Sequence, residues 1–406
     1  MKRFVVSGGK QLHGSIEVSG SKNAALPILF ATIITHGVSV IRNVPDIKDV
    51  NVTLEILEGL GASVKRIGKN LIIDTRELRY SLPNEALVRS IRASSYLLGA
   101  LCARFGRAKI MSFGGCNFDS RPIDMHVGAM LRVGVNIVDT ECYAKELSSA
   151  DIVFDKISVG ATVNAILLTA TAKGHSRIYG YAREPHVYAL IEYLNSAGAA
   201  ITIGPEYISV FGRELSDGEA CVVPDMIEAG TYIIASLITG STLTVADVKR
   251  EHLSAPIELF SDTGVGFCFD SGSITPFGSM LEYANIYTAP HPGFPTDLQP
   301  ITAPLLALSG GGRITESVWR SRFGYLRELS KFGLRYSLSD CSARIYKSRL
   351  KGASVTAPDL RGGAALLVAA LAAEGESEVF GAEIIGRGYE DIAQKLRSVG
   401  AAIEEI

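Results

Sequence analysis

The sequence predicts a pseudo-symmetric α/β protein assembled from six packets of helix and strand, three in each half of the chain. Three observations carry that prediction. Glycine recurs at Gly61, Gly134, Gly198, Gly264, Gly333 and Gly400, with successive gaps of 73, 64, 66, 69 and 67 residues. Four positions before each stands a large apolar residue: Leu57, Met130, Leu194, Phe260, Leu329 and Leu396. An extended apolar run often follows at once, as in Gly61-Ala-Ser-Val, Gly198-Ala-Ala-Ile and Gly400-Ala-Ala-Ile. Glycine closes a helix in the left-handed conformation without steric penalty, and a strand can leave directly. The period is too long for a solenoid repeat, so each unit is a supersecondary packet. A functional site is expected between packets.

Taken in chain order, extended segments fall at 4–6, 38–41, 71–74, 109–112, 178–180, 208–211, 242–245 and 313–315. Helical patterns occupy 23–35, 49–60, 86–102, 162–172, 187–197, 229–239, 360–373 and 389–399. The most hydrophobic tract, 24–41, contains Pro27, Thr32, Thr35, His36 and Gly37, and reads as a buried helix turning into a strand. No apolar run reaches membrane-spanning length. The run Asp225-Met-Ile-Glu-Ala-Gly-Thr opens a helix after a loop, so the cut between halves is placed near residue 228.

Composition narrows the function. A chain of 406 residues has room for two or three domains with full cores. Charged residues make up 20%, hydrophobic ones 47%, and the net charge is −2. That balance argues against a general nucleic-acid binder and confines any anion site to local arginines and lysines. The first residues lack the apolar core of a signal peptide. Six cysteines are too sparse for a disulfide framework, and no cysteine or histidine pair has zinc spacing. The expectation is a cytoplasmic protein, with no metal and no membrane.

Four clusters carry candidate chemistry. Gly114-Gly-Cys116 with Arg121 combines a flexible turn, a thiol and a cation that lowers thiol pKa or binds an anion; taken alone, Cys116 reads as a small buried residue. Gly20-Ser-Lys22-Asn23 precedes a helix, where backbone N–H groups and a lysine favour phosphate; taken alone, it reads as an ordinary capped helix with a solvated lysine. Arg92, Arg361 and Arg387 sit among apolar or small residues, and a buried guanidinium requires a carboxylate or a ligand anion. Asp359 is the local partner available to Arg361. Asp297, in the proline-stiffened run Pro290-His-Pro-Gly-Phe-Pro-Thr-Asp, suits a general base or a helix N-cap.

Together these clusters resemble the enolpyruvyl transferases, and within them the branch acting on UDP-N-acetylglucosamine. The matching segments run end to end: Ser19-Gly-Ser-Lys-Asn-Ala-Ala-Leu-Pro, Arg92-Ala-Ser, Gly114-Gly-Cys with Arg121-Pro, Asp155-Lys-Ile-Ser-Val-Gly-Ala-Thr, and Ala182-Arg-Glu-Pro. Pro224-Asp, Ala289-Pro-His-Pro with Phe294-Pro-Thr-Asp, Arg322-Phe, Asp359-Leu-Arg and Gly386-Arg-Gly-Tyr-Glu follow in order. The resemblance implies a two-domain inverse α/β barrel, each domain made of three βαβαββ repeats. It assigns 22–228 to the first domain and 1–21 with 229–406 to the second, with the site in the cleft between them.

The resemblance also assigns roles. Cys116 would be the general acid towards the enolpyruvyl methylene, and Asp297 the base beside the acceptor 3′-hydroxyl. Lys22 and Asn23 would hold phosphoenolpyruvate, with Arg121 and Arg387 around its charges and Arg92 and Arg361 nearby. The acceptor would lie against Arg121, Pro122, Ile123, Asp124 and Met125, against Lys156, Ile157, Ser158 and Val159, and against Val318, with Arg322 a further cleft arginine. No cofactor is implied, a monomer is favoured, and fosfomycin would alkylate Cys116. The chemistry needs an acid, a base and clustered positive charge.

Departures from the family pattern bear on the acceptor. Trp319-Arg320-Ser-Arg322-Phe stands where Phe-Glu-Asn-Arg-Phe is usual, and His186 replaces a glutamate. Residues 266–287 match poorly, and Leu360-Arg-Gly-Gly is unusual. Transfer to another nucleotide sugar or nucleoside, and non-catalytic binding of a nucleotide sugar, therefore stay open.

Overall fold

Every one of the six marked glycines lies at positive φ, between 89° and 103°. The computed structural model, which describes residues 2–114, 122–278 and 282–406, shows why the spacing recurs. At each glycine the N–H bonds the carbonyl three residues back, as in Gly61 to Glu58 at 2.9 Å and Gly264 to Ser261 at 3.1 Å. At five of them the next N–H reaches the carbonyl of the marked apolar residue, for instance Ala62 to Leu57 at 3.0 Å and Ala199 to Leu194 at 2.9 Å. This double closure is the Schellman ending of a helix, which favours an apolar contact between its two flanking residues. The six apolar residues are at most 2% exposed. A strand then leaves at once: Ser63–Ile67, Asn136–Val138, Ala200–Ile203, Gly266–Asp270, Arg335–Ser339 and Ala402–Glu405.

Two kinds of helix alternate. Outer helices such as Lys48–Gly59, Pro185–Ser196 and Ser254–Asp262 end at the glycines and bury one face. Inner helices are apolar nearly all round, as burial requires. They are Lys22–Ala31, Leu97–Phe105, Val159–Thr171, Met226–Ile238, Gln299–Leu308 and Leu360–Ala372. Leu360–Ala372 exposes none of its first twelve residues.

Among the described residues there are five four-stranded sheets and one of three strands. Each four-stranded sheet combines one parallel pairing with two antiparallel ones. Asp151–Val153 runs parallel to His175–Tyr179 across the inner helix between them, and Ala284–Tyr287 to Gly312–Thr315 likewise. Three sheets borrow a strand from elsewhere in the chain. Gly218–Cys221 pairs with Val38–Arg42, and His13–Glu17 with Thr242–Ala246. Arg3–Ser7 is likewise held between Glu376–Phe380 and Ala402–Glu405.

The described residues cluster into two compact units, one of residues 2–19 and 224–406, the other of residues 20–114 and 122–223. Each has its own hydrophobic core. No helix among the described residues is long and apolar enough to cross a membrane.

The helix expected over 86–102 is broken. Glu85–Ser90 ends at Ile91, which is extended (φ −130°, ψ 141°), and a 3-10 turn Arg92–Tyr96 leads into Leu97–Phe105. The Ser94 hydroxyl donates to the carbonyls of Val88 (2.7 Å) and Ile91 (2.6 Å) and so closes the first helix. Serine competes for backbone groups in this way, and apolar periodicity does not register it.

The left-handed endings give a direct test. Gly264→Ala adds a methyl group that meets no atom within 4 Å, so any loss is conformational; Gly59→Ala adds one in equally open space inside a helix. Gly264→Ala should lose about 1–2 kcal/mol and Gly59→Ala gain up to about 1 kcal/mol, read from urea unfolding of the unit that contains each.

Candidate active site

Inner-helix starts gather the candidate residues. In the unit of residues 2–19 and 224–406, Asp359 caps Leu360–Ala372, its Oδ1 accepting the N–H groups of Arg361 (2.9 Å) and Gly362 (3.0 Å). Asp359 thus serves the backbone of Arg361, whose guanidinium turns to Asp297 instead (Nε to Oδ2, 3.1 Å). Arg361 is 2% exposed. Its Nη1 and Nη2 are buried and meet no hydrogen-bond acceptor. Burial works against this charge, but Tyr389, Asp297 and Asp225 together outweigh it and hold the proton more tightly than usual. The Tyr389 ring centre lies 5.3 Å from the guanidinium carbon.

Asp297 also takes Arg322, from Nη1 to Oδ1 at 2.7 Å. The helix Gln299–Leu308 begins without any side-chain cap, so Asp297 is no N-cap. Its carboxylate lies between two guanidinium groups that are 5% and 2% exposed, and remains 30% exposed itself. Oriented beside fixed positive charge and open on one side, it can accept a proton from a hydroxyl. Val318 is half-buried close by in sequence, and its N–H is held by Glu316 (2.8 Å). Arg387 is half-buried in the turn after Ala382–Ile385, two residues before Tyr389.

Asp225 caps Met226–Ile238 through Oδ1, and its Oδ2 is buried without a partner.

In the unit of residues 20–114 and 122–223, Lys22 opens Lys22–Ala31 and reaches the buried Asp49 (Nζ to Oδ2, 3.2 Å). Asn23 follows it, half-buried. Arg92 opens the 3-10 turn, and burial lowers its pKa, with Tyr96 acting weakly the other way. Pro122 and Asp124 are exposed, Ile123 and Met125 half-buried, around the start of Asp124–Arg132. Lys156 and Ile157 are exposed before Ser158, which caps Val159–Thr171 through its hydroxyl (3.3 Å to Ala161 N). Cys116 and Arg121 lie outside the described residues. Among the described residues no three His, Cys, Asp or Glu gather as a metal would need.

A profile of the EPSP synthase (3-phosphoshikimate 1-carboxyvinyltransferase) family matches residues 6–396. A UDP-N-acetylglucosamine 1-carboxyvinyltransferase 2 of Caldanaerobacter subterraneus subsp. tengcongensis is 41% identical, over 100% of both chains. The Clostridium botulinum UDP-N-acetylglucosamine 1-carboxyvinyltransferase is 40% identical over 99% of both. The chain belongs to the EPSP synthase family. Among solved family structures, the enolpyruvyl transferase NikO from Streptomyces tendae superposes with a TM-score of 0.90 at 27% identity, over 100% of this chain and 99% of that one. An EPSP synthase from Acinetobacter baumannii gives 0.76 at 17% identity over 100% of both, a likeness of fold alone.

Two features of this family member escaped the sequence reading. One is Glu316, fully buried beside Asp297's loop. The other is a pair, His126 and Asn164, that ties three candidate segments together. Asn164 Oδ1 accepts the Gly99 N–H (2.6 Å), which fixes the orientation of its amide. Its Nδ2 then shares its two hydrogens among Ser95 O (3.2 Å), Gly160 O (3.1 Å) and His126 Nδ1 (3.0 Å). His126 therefore accepts at Nδ1 and carries its proton on Nε2. The links join the turn of Arg92, the start of the Asp124 helix and the start of the Val159 helix. Neither residue has metal spacing or periodicity to mark it in sequence.

Burial, and after it Arg92, lowers the His126 pKa to about 4, from an ordinary 6.5. Between those values the unfolded chain binds a proton that the folded chain refuses. Stability present above pH 6.5 should therefore fall as pH drops towards 4, by at most roughly 3 kcal/mol from this group. His126→Asn, whose oxygen can take the Asn164 amide, should lose less stability than the parent between pH 7 and 4.5 in urea unfolding. Equal losses would refute the assignment.

Proposed function

We propose that this chain transfers the enolpyruvyl group of phosphoenolpyruvate to the 3′-hydroxyl of UDP-N-acetylglucosamine, releasing phosphate. That reaction is the first committed step of peptidoglycan synthesis. Asp297 carries the reading: a carboxylate oriented by two buried arginines, in a chain matched over its whole length by relatives bearing that activity's name. It acts as a monomer on two small molecules in the cytoplasm.

Chemically, a proton added at C3 of phosphoenolpyruvate makes C2 electrophilic, and the acceptor oxygen bonds to C2 as its proton leaves. The resulting tetrahedral adduct loses a C3 proton and expels phosphate. Asp297 takes the acceptor proton, and Cys116 delivers the proton to C3. Lys22, Asn23, Arg92, Arg121 and Arg387 hold the phosphate and carboxylate, and the unpaired N–H groups of Arg361 offer further donors to an anion. Residues 121–125, 156–159 and Val318 hold the nucleotide sugar, with Arg322 keeping Asp297 in place.

A second reading, transfer to a different nucleotide sugar or nucleoside, is favoured by one observation. Arg320 is exposed, beside a half-buried Trp319, where the family pattern has an acid.

Purified protein should release phosphate from phosphoenolpyruvate only when UDP-N-acetylglucosamine is present, yielding its enolpyruvyl ether by mass spectrometry. Release with another nucleotide instead would establish the second reading. Asp297→Asn and Cys116→Ala should each lower kcat by about 10²- to 10⁴-fold, Cys116→Asp should retain turnover, and fosfomycin should inactivate the parent but not Cys116→Asp.

A further inference from the structure

Glu316 ends the strand Gly312–Thr315 and is fully buried, yet no cation pairs with it in an ion pair among the described residues. Donors surround it instead. Its Oε1 accepts the Thr288 hydroxyl (2.7 Å) and the backbone N–H groups of Val318 (2.8 Å) and Trp319 (2.9 Å). Its Oε2 accepts the Thr296 hydroxyl (2.8 Å) and, at 3.4 Å, the Gln299 amide. The directions are fixed by the next neighbours. Thr288 Oγ1 takes the Ser317 N–H (3.0 Å), so its own proton is free for Glu316. Thr296 Oγ1 takes Arg322 Nη1 (3.2 Å), and the same nitrogen reaches Asp297. Gln299 cannot flip, because its Oε1 accepts the Tyr325 hydroxyl (2.6 Å) and its Nε2 donates to Arg322 O (3.0 Å).

We infer that Glu316 is a positioning residue: one buried carboxylate that sets the Asp297 segment with one oxygen and the Val318–Trp319 segment with the other. The inference deepens the proposed function and rests on it for its kinetic consequences. A buried acceptor this fully occupied is costly to disturb, because each donor left behind loses its partner at a position closed to bulk solvent. The division of labour between the two oxygens makes the role separable. Glutamine keeps an oxygen for Thr288, Val318 and Trp319 but turns an NH₂ group towards Thr296 and Gln299. The Thr296 hydroxyl, already an acceptor for Arg322, would then face two donors. Strain would fall on the arginine that orients Asp297, while the 318–319 backbone stayed held. Alanine would release both segments.

Glu316→Gln should lower kcat by about ten- to a hundred-fold with the KM for UDP-N-acetylglucosamine within about twofold of the parent. Rates are taken per active site, counted by the binding stoichiometry of UDP-N-acetylglucosamine in calorimetry. Glu316→Ala should raise that KM as well. Thr296→Val removes only the hydroxyl between Glu316 and Arg322. It should reproduce the kcat loss, add little to Glu316→Gln, and carry the test should the glutamine variant not fold. An unchanged kcat per active site overturns the inference, as does a loss explained wholly by fewer competent sites. A parent without UDP-N-acetylglucosamine turnover would instead defeat the proposed function. Hydrogen exchange then decides the inference: Glu316→Gln should speed exchange across 294–299 but not 316–319, and Glu316→Ala across both. Unchanged exchange in both variants overturns it.

Discussion

A guanidinium buried at the start of an apolar helix organises the candidate residues of the unit of residues 2–19 and 224–406. Arg361 is 2% exposed, and a charge so placed survives only where opposite charge is brought to it. Asp297 supplies that charge, although 64 residues separate the pair. Asp359 instead gives its Oδ1 to the first N–H groups of the helix. Holding Asp297 against Arg361 fixes which way the 294–298 turn faces. Arg322 then locks the other carboxylate oxygen, and Thr296 and Glu316 brace Arg322 in turn. Removal of Asp297 would leave two nearly buried cations facing each other, so this acid is structural before it is chemical.

The fold was legible where backbone geometry forces a residue type. Six glycines at positive φ and six buried side chains four positions earlier are two readings of one helix ending, so their spacing alone revealed six packets. Local signals of this kind do not say which strands share a sheet. Gly218–Cys221 lies beside Val38–Arg42, and His13–Glu17 beside Thr242–Ala246, because a strand edge left open by the packet's own segment must find a partner. The pairing is set by tertiary fit, and nothing in either strand announces it.

The site divides along the same line. Arg361 and Asp297 stood out because a charge in apolar or proline-rich surroundings is anomalous in any single sequence, and their pairing with each other, rather than with Asp359 or a helix cap, needed the structure. Glu316 offered no anomaly: an acid at a strand end reads as solvated, and only its zero exposure and five donors reveal otherwise. His126 and Asn164 escaped for a related reason. Their meaning lies in the carbonyls of Ser95 and Gly160 and the N–H of Gly99, backbone groups that sequence does not display. Buried polar residues that serve the backbone are therefore the class that sequence reading misses.

Helix starts give both units a common electrostatic logic. Lys22, Arg361, Ser158 and Asp225 lie at the first residue, the second, or the cap of an inner helix, where backbone N–H groups lack intrahelical partners and the dipole is positive. At three of these starts an aspartate or serine consumes free N–H groups, through Asp359, Asp225 and Ser158. At Lys22 the cap Ser21 makes no side-chain bond, and at Gln299 no side chain caps either. The inner helix Leu97–Phe105 also starts without a side-chain cap, so uncapped starts are not confined to those beside the lysine assigned to phosphoenolpyruvate and the aspartate assigned to the acceptor hydroxyl. Capping is worth about 1 kcal/mol per helix. On the proposed function, the uncapped Lys22 start and the Arg361 nitrogens without hydrogen-bond acceptors are donors for the substrate anions. Net charge conceals this: on the proposed function a chain at −2 binds two polyanions through positive groups placed locally at helix starts and buried guanidiniums.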